Sequence, residues 1–175
     1  MLQIRCTKKV LDLFSCKAES MSVVKSADSL LGNWYVNELK IERRKVLLFT
    51  SELTLLSFVY FGVKKSTAKN LEVRTVNGIA RLLDTEGFTS QEIGRVIDDY
   101  RVVSITKTEN RKTLGNMNDL AFLYESHIHS AGGFQNCDIE EIQKRINRTP
   151  QRNLKWTYSI NEAENVIRGV RNSET

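Results

Sequence analysis

The sequence has few of the residues that interrupt or cross-link a chain. Among its 175 residues are one proline, nine glycines, two histidines and three cysteines. Cys6, Cys16 and Cys137 are odd in number and far apart, unlike the cysteines of a structural zinc site or of a secreted disulfide-rich domain. We therefore interpret them as reduced structural thiols.

Long apolar segments are missing as well. No window approaches the roughly 20 consecutive apolar residues that a membrane-spanning helix needs. No apolar run follows the charges of the opening residues, as it would in a signal peptide. These absences predict a cytoplasmic protein without a membrane partner. Hydrophobic residues make up 41% of the chain, which predicts one globular domain over residues 1–175, with only the last few residues frayed.

The spacing of the apolar residues predicts both strands and helices. Aromatic and branched segments separated by short polar turns predict an antiparallel meander at 34–41, 45–50 and 53–61. Further strands are predicted around residue 4, over 101–107 and over 154–160. In the last of them, Leu154, Trp156, Tyr158 and Ile160 alternate with polar residues and would form the buried face. Helices are predicted between and after these strands, including 69–83 and 90–99. The sequence therefore predicts an α+β fold: an antiparallel or mixed sheet with a central three-strand meander, packed by about five to six helices.

Polar residues at capping positions predict the starts of four helices, at Thr89, Asn116, Asp138 and Asn161. Three of these residues, but not Asn116, are followed three positions later by a glutamate, as in a capping box. The helix after Asn116 carries an apolar stripe to Ile128, and the glycines at 132 and 133 predict its left-handed end.

Four blocks of the sequence resemble a known family. They are Ile-Arg-Cys-Thr-Lys-Lys from residue 4, Trp-Tyr-Val-Asn from residue 34 with Arg-Arg-Lys-Val-Leu-Leu-Phe-Thr from residue 43, the segment 107–124, and Ile-Asn-Arg-Thr-Pro from residue 146. In order and spacing, they resemble an uncharacterised bacterial family of stand-alone proteins that is catalogued as a domain of unknown function. The resemblance spans most of the chain but implies no activity, cofactor or catalytic residue.

The net charge of +5 comes from 26 basic and 21 acidic residues, so its distribution matters more than its sum. Four basic clusters stand apart from the acidic residues: Arg43, Arg44 and Lys45; Lys64, Lys65 and Lys69; Lys107, Arg111 and Lys112; and Lys144, Arg145, Arg148, Arg152 and Lys155. Each cluster is either solvated surface or part of one face that would suit an anionic partner, and the sequence leaves both open.

The segment from Lys107 to Tyr124 is the candidate site, because it joins a predicted strand to a predicted helix. Lys107, Asn110, Arg111 and Lys112 come just before that helix, whose unpaired N–H groups and positive dipole favour an anion. The single glycine at 115 is not a phosphate-binding loop.

Asp119 argues against an anion at this helix start. It would occupy the third helical position after Asn116, where its carboxylate neutralises the helix terminus. The segment is therefore open to three interpretations, which are a capped turn, an anion site and a catalytic site.

The candidate catalytic residues are Asp119 and His127. On one helix they are two turns apart and form no acid/base pair, although Tyr124 and His127 are neighbours on one face. His129 lies two residues beyond His127, on another side of the helix, which argues against a shared metal ion. We expect no metal site and no cofactor.

Basic residues interleaved with aromatic residues can bind single-stranded nucleic acid. The meander has this composition, because Arg43, Arg44 and Lys45 lie close to Trp34, Tyr35 and Phe49. Aromatic residues of an antiparallel sheet are more often core, however. The two interpretations stay open.

Arg148 would join the candidate site under one condition. If the strand predicted at 154–160 pairs beside the strand at 101–107, the rigid turn before Pro150 brings Arg148 towards Asn110 and Arg111.

Three classes of function remain. A protein that binds or processes nucleic acid would use a basic face, and we favour this class. An enzyme acting on a small anionic metabolite would hold Lys107, Asn110, Arg111 and Asp119 in a pocket. A protein-interaction module, such as an inhibitor or a toxin–antitoxin partner, would expose a flat aromatic patch.

Overall fold

A computed structural model of the chain describes residues 1–17, 21–23, 25–109 and 111–169. Within these ranges, five strands form the main sheet: β1 (Leu2–Cys6), β2 (Trp34–Ile41), β3 (Arg44–Ser51), β4 (Ser57–Phe61) and β5 (Val103–Lys107). Six helices surround it in the same ranges: α1 (Lys8–Leu13), α2 (Leu71–Thr85), α3 (Ser90–Asp98), α4 (Arg111–Ser130), α5 (Ile139–Asn147) and α6 (Ser159–Arg168). The predicted α+β fold is confirmed.

The strands lie in the order β4-β3-β2-β1-β5. The predicted meander is present, because β2 and β4 both pair antiparallel with β3. Strand β1 is parallel to both of its neighbours, β2 and β5, so the sheet is mixed. Four strands, β1, β2, β4 and β5, therefore run in the same direction and have their C-terminal residues at the same end of the sheet.

The two faces of the sheet carry separate cores. Successive side chains of a strand point to opposite faces, so Trp34 packs with α2, α3 and α6 while Tyr35 packs with α4 and α5. Both rings are fully buried, as is Phe49 on the neighbouring strand. The core interpretation of the meander aromatics is confirmed, so these rings cannot stack on a nucleic-acid base.

Helix α5 covers the outer edge of β4 with two side-chain amides. Asn147 accepts from the Ser57 N–H at 2.9 Å and donates to the Ser57 carbonyl at 3.0 Å. One helical turn earlier, Gln143 accepts from the Val59 N–H at 3.0 Å. The amides satisfy main-chain groups that would otherwise attract another strand.

Several local predictions are confirmed. Thr89 and Glu92 form a reciprocal capping box at the start of α3, and the Asp138 side chain caps α5. Gly132 and Gly133 have φ angles of 85° and 91° after α4, as expected of a left-handed helix end. Cys6, Cys16 and Cys137 are free thiols.

Within the described ranges, no helix combines the length and apolarity that crossing a membrane requires.

The predicted start of α4 is wrong. The helix begins at Arg111, so Asn116 lies in its second turn and is not the N-cap. Thr113 is buried, so the helix face that contacts the core begins one turn closer to the N-terminus than the apolar side chains indicate. Asp119 is consequently the ninth helical residue and does not neutralise the helix terminus.

The strand predicted at 154–160 is also wrong. Lys155 and Trp156 both have positive φ angles, 54° and 66°, and this turns the chain back on itself. The short strands β6 (Pro150–Gln151) and β7 (Thr157–Tyr158) pair with each other and not with the main sheet. Helix α6 begins at Ser159, so Ile160 belongs to a helix and not to a strand.

Candidate functional site

The β6–β7 hairpin projects an exposed tryptophan between basic residues. Pairing of Pro150 with Tyr158 and of Gln151 with Thr157 closes a loop over residues 152–156. The Trp156 N–H donates to the Gln151 carbonyl at 3.0 Å, which closes the loop at its base. Trp156 is 68% exposed and Tyr158 is 39% exposed.

The hairpin backbone is strained where it presents Trp156. A left-handed conformation costs a side-chain-bearing residue about 1–2 kcal/mol, and Lys155 and Trp156 adopt it consecutively. Neither residue is a glycine, so the strain is not relieved locally. Strained backbone of this kind often accompanies a functional site, and here it holds a large apolar ring in solvent.

The hairpin is attached to the start of α4. The Asn153 side-chain amide donates to the Asn116 side-chain oxygen. Residues four apart on a helix are neighbours, so Lys112 lies beside the point of attachment, and Arg111 precedes it at the helix terminus. Both side chains are exposed. We call Arg152, Lys155, Trp156 and Tyr158, together with Arg111 and Lys112, the hairpin surface.

The predicted site segment is therefore partly retained in this surface. Lys107 is exposed at the end of β5, and its Cα pairs with that of Cys6. Arg111 and Lys112 lie in the first turn of α4. The chain after Pro150 contacts this helix through the hydrogen bond from Asn153 to Asn116, and this contact does not involve Arg148. Asn110 falls outside the described residues.

Arg148 has a structural contact elsewhere. Its Nη1 lies 2.6 Å from Oε2 of Glu86, whose side chain is completely buried. It also donates to the Lys144 carbonyl at 3.1 Å. Removing Arg148 would leave a buried carboxylate without its cation, which explains this residue without a ligand.

The cluster at Arg43, Arg44 and Lys45 is the turn between β2 and β3. Arg43 lies in a two-residue turn with a φ of 65°, and Arg44 stacks over the Phe134 ring at 5.5 Å. The Lys45 ammonium lies 3.0 Å from a carboxylate oxygen of Glu38. Two of the three cations are therefore engaged by local partners.

Lysines also gather where the strands end. Lys9, Lys45 and Lys65 line one shallow hollow, and Lys9 and Lys40 line a neighbouring one. We call these four lysines the lysine end of the sheet. Acidic side chains line the same hollows: Asp12 and Glu38 line the first, and Glu38 and Glu125 line the second. The local charge is therefore mixed.

The catalytic candidates do not come together. Asp119 is exposed on α4, and the half-buried His127 follows eight residues later, about 12 Å along the helix axis. Tyr124 is fully buried, its hydroxyl lies 3.2 Å from the Ser57 hydroxyl, and burial raises the pKa of its phenol. Among the described residues, no three His, Cys, Asp or Glu side chains are grouped as metal ligands would be.

Sequence reasoning missed Trp156 and Tyr158 as surface residues. Alternation from Leu154 to Ile160 indicated a half-buried strand, and both aromatics were placed on its buried side. One signal favoured the other interpretation, because Arg152 and Lys155 lie next to these aromatics, in the composition of a single-strand binding surface.

Comparison with known proteins identifies the family. None of the curated proteins compared with the chain matches it. The sequence model of one family matches residues 3–162, a span that contains the whole of α4 and the whole β6–β7 hairpin. The chain belongs to the family described as Domain of unknown function (DUF6933).

Proposed function

We propose that the protein binds single-stranded nucleic acid on the hairpin surface. The observation that carries this proposal is the exposed ring of Trp156, held outward by strained backbone and flanked by Arg152 and Lys155. A ring of this kind stacks on an unpaired base, and the neighbouring cations contact the phosphates on either side. Duplexes hide the faces of their bases, so the surface favours single strands.

The basic residues of the hairpin are available to a ligand. Among the described residues, no acidic side chain forms an ion pair with Arg152, Lys155 or Arg111. The start of α4 adds main-chain N–H groups and a positive dipole beside these cations. Together they supply a patch for phosphate groups adjacent to a platform for a base. We further propose a cytoplasmic location, where such a surface would meet RNA and single-stranded DNA.

Intrinsic tryptophan fluorescence tests the proposal directly. The chain has two tryptophans, and Trp34 is fully buried with its indole N–H donating to the Tyr100 hydroxyl, so it should not respond. Titration with an oligothymidylate or an oligouridylate should quench Trp156 as a base stacks on it. Affinity should fall with salt, with a slope of about −0.7 for each phosphate contacted.

The outcome that would overturn the proposal is equally direct. If a large excess of oligonucleotide at roughly 20 mM salt, where surface charges are weakly screened, leaves the fluorescence unchanged and forms no complex, the hairpin surface does not bind nucleic acid. A double-stranded oligonucleotide of the same length provides the comparison, since it should bind more weakly.

A further inference from the structure

The edge strand β4 presents a repeating series of main-chain groups to one side. The Gly62 N–H donates to the Lys45 carbonyl of β3, so the even-numbered residues of this strand face β3. In an antiparallel ladder the alternate residues face the other way, so Ser57, Val59 and Phe61 point their N–H and carbonyl groups outward.

The first two members of this series already bind amides. Asn147 takes both main-chain groups of Ser57, and Gln143 takes the Val59 N–H. Four helical residues advance about 6 Å and two strand residues advance about 6.8 Å, so helix and strand stay in step over this distance. The edge is therefore a series of amide-binding positions.

The third member has no such partner. The residue one turn before Gln143 is Ile139, whose side chain neither donates nor accepts a hydrogen bond. Within the ranges that the structure describes, no group forms a hydrogen bond with the Val59 carbonyl or the Phe61 N–H. A donor and an acceptor are left side by side.

Val59 and Phe61, the residues that carry these two groups, line a cavity. It has a volume of about 260 Å³ and is lined by residues of α2, of α5 and of β4. Phe58, Leu82 and Ile139 are among its apolar lining residues. Arg81 and Glu140, one from each helix, form an ion pair at its rim. The volume is below that of sites for drug-sized ligands, about 300–1,000 Å³, and it suits one or two side chains.

Gly78 helps to shape this cavity. A Cβ at this position would lie 2.3 Å from the ring of Phe58, so a side chain here would displace the ring. The glycine allows α2 to approach β4 closely.

We propose that this cleft binds an extended peptide segment of a partner protein. One residue of the peptide would pair in parallel with Tyr60, donating its N–H to the Val59 carbonyl and accepting from the Phe61 N–H. An apolar side chain of the peptide would enter the cavity. In a parallel pair, the N–H and the carbonyl of one peptide residue bond the residues before and after its partner, which is the arrangement that the Val59 carbonyl and the Phe61 N–H offer.

Other occupants fit the same groups less well. A purely apolar compound would fill the cavity but leave the Val59 carbonyl and the Phe61 N–H unsatisfied on a desolvated edge. A second copy of this chain would bring a β4 edge that is itself covered by α5. The cleft is separate from the hairpin surface, so this inference stands without the nucleic-acid proposal.

The first test uses N-acetyl-L-leucine N′-methylamide as the probe and backbone amide NMR as the readout. We expect saturable shifts at Phe61 in the millimolar range, and slowing of Phe61 N–H exchange by roughly fivefold as its hydrogen bond forms. The Ser57 and Val59 N–H groups should change little, because they already have partners. The control is the same compound methylated on the leucine nitrogen, which cannot donate to Val59 and should bind at least about fivefold more weakly.

Two results would overturn the proposal. Equal binding of the N-methylated control would show a site for apolar compounds only. Protection of the Phe61 N–H that rises with protein concentration in the absence of the probe would show that a second copy occupies the edge.

The second test introduces a side chain of the protein itself that can bond the Phe61 N–H in place of the peptide. Ile139→Gln places a carboxamide one turn before Gln143, so it should protect the Phe61 N–H in the free protein and abolish binding of the probe. The matched control is Lys144→Gln, an exposed position on the same helix that does not line the cavity. If Ile139→Gln fails to fold, Thr85→Phe fills the cavity from α2 and should give the same loss. Unchanged probe binding in a folded variant with a protected Phe61 N–H would refute the assignment.

Discussion

The hairpin surface and the lysine end of the sheet both gather basic side chains, but their neighbours differ. At the lysine end, Asp12, Glu38 and Glu125 line the same hollows as the lysines, and Lys45 is paired with Glu38 at 3.0 Å. A phosphate group there would meet carboxylates as well as ammonium groups, and the two contributions would oppose each other.

The hairpin surface combines cations with an exposed ring. Arg152 and Lys155 flank a tryptophan that is 68% exposed, whereas Trp34, Tyr35 and Phe49 of the meander are buried in the core. The difference teaches that the number of basic residues in a cluster does not identify a binding surface. What matters is whether acidic neighbours and core packing leave the charges and rings available to a ligand.

Charge reversal in the two regions should give the largest contrast. Arg152→Glu combined with Lys155→Glu should lower affinity for an oligothymidylate by roughly 100-fold, about 2.7 kcal/mol, because two attractions to phosphate become repulsions. Lys40→Glu combined with Lys65→Glu makes the same change in net charge at the lysine end and should cost less than about threefold. Fluorescence anisotropy of a labelled oligonucleotide measures both. Equal losses would mean that binding follows net charge, and the opposite ranking would move the site to the lysine end.

Removal of the ring should have the next largest effect. Trp156→Ala should weaken binding by roughly tenfold, near the lower limit of about 1–3 kcal/mol for stacking on one base. The salt dependence should be unchanged, because no phosphate contact is lost. Trp156→Phe keeps an aromatic face and should retain most of the affinity. If the alanine variant binds as tightly as the natural protein, the basic residues alone account for binding and the ring does not stack on a base.

Loosening the hairpin from α4 should have a smaller effect. Asn153→Ala removes the side-chain hydrogen bond to Asn116, so the cations of the hairpin and of α4 are no longer held together. We expect a loss of roughly fivefold in affinity, close to the net value of one hydrogen bond. Asn136→Ala is the control and should leave affinity unchanged, because it removes a hydrogen bond to the Gly132 carbonyl, which lies beyond the C-terminal end of α4. A normal affinity for Asn153→Ala would show that α4 contributes nothing to the surface.

The parts of the fold that could be predicted have local causes. The meander followed from branched and aromatic segments separated by short turns, and α3 followed from the Thr89 capping box. The start of α4 could not be predicted in the same way. Thr113 and Asn116 are polar, and their burial depends on contacts with distant parts of the chain, such as Asn153. The stripe therefore looks one turn shorter in the sequence than it is in the structure.

Only the α4 part of the candidate site could be predicted from the sequence, and the hairpin part could not. Arg111 and Lys112 were identified from their position before a helix, but Trp156 was assigned to a buried strand face. Alternation indicates a strand only if every residue is extended, and Lys155 and Trp156 are left-handed. Glycine or asparagine would have signalled that conformation, whereas lysine and tryptophan rarely adopt it. The surrounding contacts impose it, so it becomes visible only in the folded chain.

The smallest effect that we predict tests whether the hairpin is strained. Lys155→Gly should raise the free energy of unfolding by about 0.5 kcal/mol, because relief of a left-handed side chain outweighs the greater freedom of glycine in the unfolded chain. The same change in an extended strand should have the opposite sign, and Lys40→Gly in β2 should lower stability by about 0.5–1 kcal/mol. Urea denaturation of both variants gives the two values. If Lys155→Gly also lowers the free energy of unfolding, the loop is not strained at this residue. Strain then no longer supports Trp156 as a functional residue. The exposure of Trp156 and its basic neighbours still favour the hairpin surface over the lysine end.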